Sequence, residues 1–192
     1  RSTLMRSSAA SDVYKRQYTS KIAQPLTDAL SLYAIELIAN NLVSVYNGTG
    51  NKKEWENITM ASTIGGMVIN TAGVTLAHGM EHPASGLKNI VHGQGLAALT
   101  PVVIDASYKG DEEKFGNIAK IFGGKSAADC ADKIRELLKA IDLECKLSDL
   151  GIAEEDIPWM AENCMKVSAA GVANNPVVFT QEEIAEIYRK AL

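Results

Sequence analysis

The sequence predicts an all-α domain, a helical bundle without a sheet. Three observations lead there. Apolar residues recur at three- and four-residue steps through most of the chain. Helix-start signatures precede several of these runs, at Thr27, Asn51, Ser126 and Thr180. Strand and helix patterns do not alternate, so no dinucleotide-binding βαβ unit is expected.

Taken in order, the first helix is expected to start within Pro25-Leu26-Thr27-Asp28-Ala29, with Thr27 as its N-cap. Leu30, Tyr33, Ala34, Leu37, Ile38, Asn41 and Leu42 then form its apolar stripe. Asn47-Gly48-Thr49-Gly50 is a turn; Lys52 and Lys53 do not fit the spacing of a phosphate-binding loop. Asn51 caps a second, long helix running towards His78. From Ile58 onward it is apolar nearly all round, which predicts burial. Its Met60 and Met67 are expected in the core. Gly65, Gly66 and Gly73 are expected where another group approaches closely. Pro83 should end the helix at His82. Residues 93 to 106 read as another buried helix that Pro101 kinks or breaks. Shorter helices follow over residues 111 to 122, from Ser126 to about Ile141, and from the acidic run at Ala153 to about Ser168, with Pro158 in the first turn. Asn174-Asn175-Pro176 is a loop, and Thr180-Gln181-Glu182-Glu183 is a capping box for the final helix.

Composition limits the classes of function. With 46% hydrophobic and 22% charged residues in 192, the chain suits one good-sized core. A net charge of −4 argues against general binding to nucleic acid or to an anionic membrane. No run approaches the roughly 18 consecutive apolar residues of a membrane span. Cys130, Cys145 and Cys164 form no CxxC pair and fit buried free thiols in a reducing cytoplasm.

The chemistry concentrates in residues 77 to 95. All three histidines lie there, at His78, His82 and His92. Imidazole is the commonest transition-metal ligand and the usual proton carrier near neutral pH. His78 and His82 are four apart, hence on one helix face, and a turn-back could bring His92 near His78. Three histidines alone do not complete a catalytic metal site.

The run His78-Gly79-Met80-Glu81-His82-Pro83-Ala84-Ser85-Gly86, followed by His92-Gly93, resembles the iron-containing (group III) alcohol dehydrogenases. The resemblance starts at Tyr18-Thr19-Ser20-Lys21 and includes the Asn-Asn-Pro run and the closing Glu-Ile-x-x-Ile-Tyr. It implies the helical C-terminal domain of that family, with its dehydroquinate synthase-like fold, over residues 18–192. It also implies that His78 and His92 are metal ligands and that His82 lies beside nicotinamide and substrate as a proton relay. The implied cofactors are Fe²⁺, or Zn²⁺ in its place, and NAD or NADP. The implied substrate is a small alcohol or aldehyde. The oligomeric state stays open, a homo-oligomer among the options. In the family, an Asp-x-x-x-His pair just before this region supplies two more ligands, and a nucleotide-binding domain lies further upstream. Neither is expected in this chain, so it is expected to be inactive by itself.

Residues 1–17 stand apart. They carry four basic residues and one acidic, without apolar periodicity. Ser-Ala-Ala-Ser-Asp-Val-Tyr-Lys-Arg-Gln resembles translated sequencing-adapter read-through, so a foreign or disordered tail is expected.

Two other readings stay open. His78-x-x-Glu81-His82 fits the H-x-x-E-H pattern of zinc metallopeptidases, with Glu81 as general base, although Pro83 opposes the continuous helix that motif needs. Otherwise the chain is an inert helical domain with a partial metal site, and Glu81 is a helix-end carboxylate or a partner of Lys88.

Overall fold

The computed structural model describes residues 18–192, and the expected foreign tail at residues 1–17 lies outside them. The described residues form α-helices and short 3₁₀ turns, with no strand among them. We label the α-helices α1 (Pro25–Tyr46), α2 (Lys52–Ala72), α3 (Leu76–Lys88), α4 (His92–Ser107), α5 (Glu112–Ile121), α6 (Cys130–Ala140), α7 (Ile157–Val167), α8 (Ala169–Asn174) and α9 (Gln181–Lys190).

α1 and α2 form a hairpin. Its antiparallel register shows in two bonds: Asn57 Nδ2 donates to Asn41 Oδ1 at 3.1 Å and the Ser44 hydroxyl to Glu54 Oε1 at 2.8 Å. The N-cap of α1 is Gln24 rather than Thr27. Thr27 sits one turn in, and its hydroxyl accepts from the Gln24 N–H at 2.8 Å. Pro25 at the first helical position shifts the start, because its fixed φ suits N1 and it has no N–H to satisfy. The buried stripe of α1 differs in part from the expected one. Ala34, Ile38, Asn41 and Leu42 are buried as expected, but so are Ile35 and Val45, while Tyr33 faces solvent. By length and composition α1 could cross a membrane, with 22 residues and an 18-residue window of mean hydropathy 1.3. Here its apolar face packs on α2 and α5.

Asn51 caps α2 as predicted, accepting from the N–H groups of Lys53 and Glu54 at 2.8 and 3.1 Å. α2 is one-sided rather than buried all round. Ile58, Ala61, Ile64, Gly65, Val68 and Ala72 face the core, while Met60 and Met67 are 51% and 61% exposed. Gly66 has open space where a Cβ would stand, so the close approach expected there is absent. α2 also stops short of His78. Gly73 takes φ +65°, a backbone region that costs a side-chain-bearing residue, and the axis turns by 103° into α3.

This corner is held from three sides. Asn174, at the end of α8, donates from Nδ2 to the carbonyls of Ala72 and Val74 at 3.1 and 3.0 Å. Its Oδ1 accepts from the Ser20 hydroxyl at 2.9 Å and the Ile22 N–H at 3.3 Å. Ser20 reaches on to the Ala72 carbonyl at 2.7 Å. α8 itself was not expected; its six residues fall where the sequence shows only the approach to a loop.

Neither internal proline ends its helix. α3 continues through Pro83 to Lys88, and α4 through Pro101 to Ser107 without the expected break. Each ring forfeits one i→i−4 bond, to Gly79 and Ala97 respectively, at a cost near 3 kcal/mol. Burial offsets it: Pro83 and Ala84, and the whole run from Leu96 to Pro101, are buried. Asn89 then ends α3 in the left-handed conformation, its N–H donating to the Ser85 carbonyl at 2.9 Å.

Two apolar clusters result. One joins α1, α2, α5 and α6; the other joins α3, α7, α8 and α9. α4 lies between them, giving Ala97 and Ile104 to the first and Ala98, Leu99 and Val103 to the second. The remaining starts follow the sequence: Asp129, Asp156 and Glu183 accept the backbone N–H groups of Ser126, Ala153 and Thr180.

Among the described residues, Cys130, Cys145 and Cys164 form no disulfide. Cys130 and Cys164 are buried, and burial pushes the Cys164 thiol up to about 12. Cys145 is half-buried; burial, with a smaller contribution from Asp149, raises it to about 11. Since the thiolate is the reactive form, the native chain is expected to resist Ellman's reagent at pH 8 and to release three thiol equivalents in denaturant. Rapid stoichiometric labelling of the native protein would contradict this.

Candidate metal centre

α3 and α4 build the site. α3 carries His78, Glu81, His82 and Ser85 at three- and four-residue steps, which sets them on neighbouring positions of one surface. The short connection 89–91 reverses the chain, and His92 opens α4. The three rings converge as the spacing predicted. The His78 and His92 centroids are 5.1 Å apart, and His82 is 6.0 Å from each. His78 is buried, whereas His82 and His92 reach solvent.

The carboxylate beside His92 has a role that none of the readings from spacing gave it. Glu81 is 0% exposed. Its Oε2 is hydrogen-bonded to His92 Nδ1 and its Oε1 to the Ser85 hydroxyl. The same hydroxyl lies 3.0 Å from the Ile90 carbonyl, which draws the connecting turn onto α3. Glu81 is therefore neither a helix-end carboxylate nor the partner of Lys88. That lysine pairs with Asp156 at 3.1 Å instead and ties the end of α3 to the start of α7. The Ala153 N–H and then Lys88 hold the Asp156 carboxyl below its ordinary value. The sequence did carry a signal for Glu81, since metal-binding histidines usually hand their second nitrogen to a carboxylate.

Other contacts fix α3. Gly79 faces α7 so closely that a Cβ would stand 2.9 Å from Ser168 Cβ. The Tyr188 hydroxyl, on α9, donates to the Met80 carbonyl at 2.5 Å. Burial keeps that phenol well above its ordinary pKa.

The donor set can be tested against a metal ion. Metal–nitrogen bonds of about 2.1 Å, extended by the ring radius, put two tetrahedral imidazole ligands roughly 5.2 Å apart between centroids. His78 and His92 match this at 5.1 Å. The pairs at 6.0 Å would need an angle at the metal of about 140°. By separation, His78 and His92 are compatible with two tetrahedral ligands, with His82 beside them. Among the described residues, no group of three or more His, Cys, Asp or Glu side chains is arranged to hold a metal ion.

The metallopeptidase geometry fails on a different ground from the one Pro83 suggested, because the helix does continue past His82. Glu81 is sealed from solvent with both oxygens engaged, so it cannot activate a water between His78 and His82.

Residues 16–192 match the Fe-containing alcohol dehydrogenase family, C-terminal domain. The chain belongs to this family. It is 38% identical over 182 residues to 1,3-propanediol dehydrogenase of Citrobacter freundii, covering 91% of this chain and 46% of that protein. Alcohol dehydrogenase 4 of Saccharomyces cerevisiae is 32% identical over 179 residues, covering 91% and 46%. In structure, the chain is similar to a crystal structure of 1,3-propanediol oxidoreductase, with a TM-score of 0.90, 35% identity, and coverage of 99% of this chain and 51% of that one. The iron-containing family thus accounts for the all-α fold, and the chain spans about half the length of these relatives.

Proposed function

We propose that this chain is the metal-carrying helical domain of an NAD- or NADP-dependent alcohol dehydrogenase that interconverts a short primary alcohol and its aldehyde. The observation that carries the reading is the 5.1 Å pairing of His78 with His92 in a chain of the iron-containing family. His78 and His92 would hold Fe²⁺, or Zn²⁺ in its place. When bound, such an ion supplies Lewis acidity towards the alcohol oxygen. The exposed ring of His82, 6.0 Å from both others, supports its assignment as the proton relay and nicotinamide neighbour. Three cysteines without a disulfide favour a reducing, cytoplasmic setting.

Two imidazoles leave further ligands to come from outside the described residues. The 192-residue chain by itself is therefore expected to bind metal weakly and to give no NAD(P)H-dependent aldehyde reduction. Calorimetric titration with Zn²⁺ or anaerobic Fe²⁺ tests the assignment. Binding should fall at least tenfold in His78→Ala and in His92→Asn and persist in His82→Ala. Equal loss in His82→Ala would return the H-x-x-E-H arrangement to consideration, and failure of the unaltered chain to bind would remove the ligand assignment.

A further inference from the structure

We propose that Glu81 is the positioning residue of the centre: it holds His92 in one tautomer and one orientation. The inference rests on the reading of His92 as a ligand only for its consequence, since the geometry stands without a metal.

With the carboxylate oxygen as the acceptor in the contact between His92 Nδ1 and Glu81 Oε2, the ring proton sits on Nδ1. Nε2 is then the nitrogen with the free lone pair, the form a metal ion takes. His92 needs such an anchor. It opens α4 with its side chain 44% exposed, so packing alone does not fix its ring. Glu81 is fully buried, and a buried carboxylate is tolerated only when its oxygens are engaged. Here the engaging groups are His92 and Ser85, whose hydroxyl also lies 3.0 Å from the Ile90 carbonyl in the turn that delivers His92. Gly95, one turn into α4, leaves the room: a Cβ there would stand 2.9 Å from Glu81 Cγ and 3.0 Å from its Oε1. Lys88, the nearby cation on α3, is turned to Asp156. The carboxylate is thus reserved for the imidazole.

Nitrogen-15 correlated NMR of the three imidazoles, on the metal-free 192-residue chain at pH 8, reads the tautomer directly. His92 should be protonated at Nδ1. Glu81→Ala should shift it towards the Nε2-protonated form, and Glu81→Gln, which keeps an acceptor oxygen, should largely restore the original. Gly95→Ala should produce the same shift as Glu81→Ala by displacing the carboxylate without altering any histidine. A wild-type His92 protonated at Nε2, or one indifferent to Glu81→Ala, would overturn the proposal, and the wild-type spectrum decides even if a variant does not fold. In a parallel Zn²⁺ titration, Glu81→Ala should weaken binding by about 10- to 100-fold, and unchanged affinity would refute the positioning role. Affinity indifferent to His92→Asn would instead refute the ligand reading, leaving the tautomer assignment intact.

Discussion

Asn174→Ala is expected to be among the most destabilising single substitutions in this domain. The side chain makes four hydrogen bonds across the corner between α2 and α3, to Ala72, Val74, Ser20 and Ile22. Ala72 keeps the Ser20 hydroxyl as a partner, so its carbonyl is not orphaned. The Ile22 N–H likewise keeps Ser20 Oγ at 3.3 Å, so the Val74 carbonyl is the group that loses this partner in a partly buried setting. At about 1 kcal/mol per bond, with an added penalty for the group left without a partner, the loss is about 3 to 4 kcal/mol. For a domain of this size that lowers Tm by about 6 to 15 °C. Asn174→Asp keeps the acceptor and loses both donors, so it should not rescue. Thermal unfolding followed by circular dichroism checks both, and a Tm within 2 °C of wild type for Asn174→Ala would show that the corner is held by packing alone.

Gly79→Ala should act on the site itself. The added methyl would stand 2.9 Å from Ser168 Cβ and 3.5 Å from Cys164 Sγ. Ser168 Cβ is attached to the backbone at the junction of α7 and α8 and cannot swing aside, so α3 must move. Overpacking of this kind costs about 1 to 3 kcal/mol. Unlike Asn174→Ala, it shifts a residue flanked by His78 and Met80, so the imidazole signals of His78 and His82 should change together with the Tm. A normal histidine spectrum beside a lowered Tm would mean that α7 yields instead. Gly66→Ala is the control. It faces open space on α2, where alanine is the better helix former by up to about 1 kcal/mol, so it should be neutral or stabilising.

Much of this was legible in the residues. Asn51 and Thr180 announce their helices because capping chemistry is local, involving groups three residues apart. The histidine cluster was legible because its members share one helix surface and one short reversal. The departures arise where tertiary burial outweighs a local preference. Pro83 and Pro101 are helix breakers by themselves, yet both lie in buried helices whose packing offsets the lost bond. Met60 and Met67 suit a core, but α2 has partners on only one side. Glu81 was read as a general base, a helix-end carboxylate or a partner of Lys88, because its actual partner is eleven residues away, across a turn whose path the sequence does not specify.

The position of α4 between the two apolar clusters has a thermodynamic consequence. A helix that is a wall of both clusters cannot leave one without uncovering the other, so the halves should melt in a single transition. His92 is the first residue of that helix. Any ion captured there in the native state alone is therefore linked to the folding of the whole domain. By mass action, saturation at a hundred times Kd would add about 2.7 kcal/mol to global stability, felt by α1 and α9 alike although neither carries a histidine.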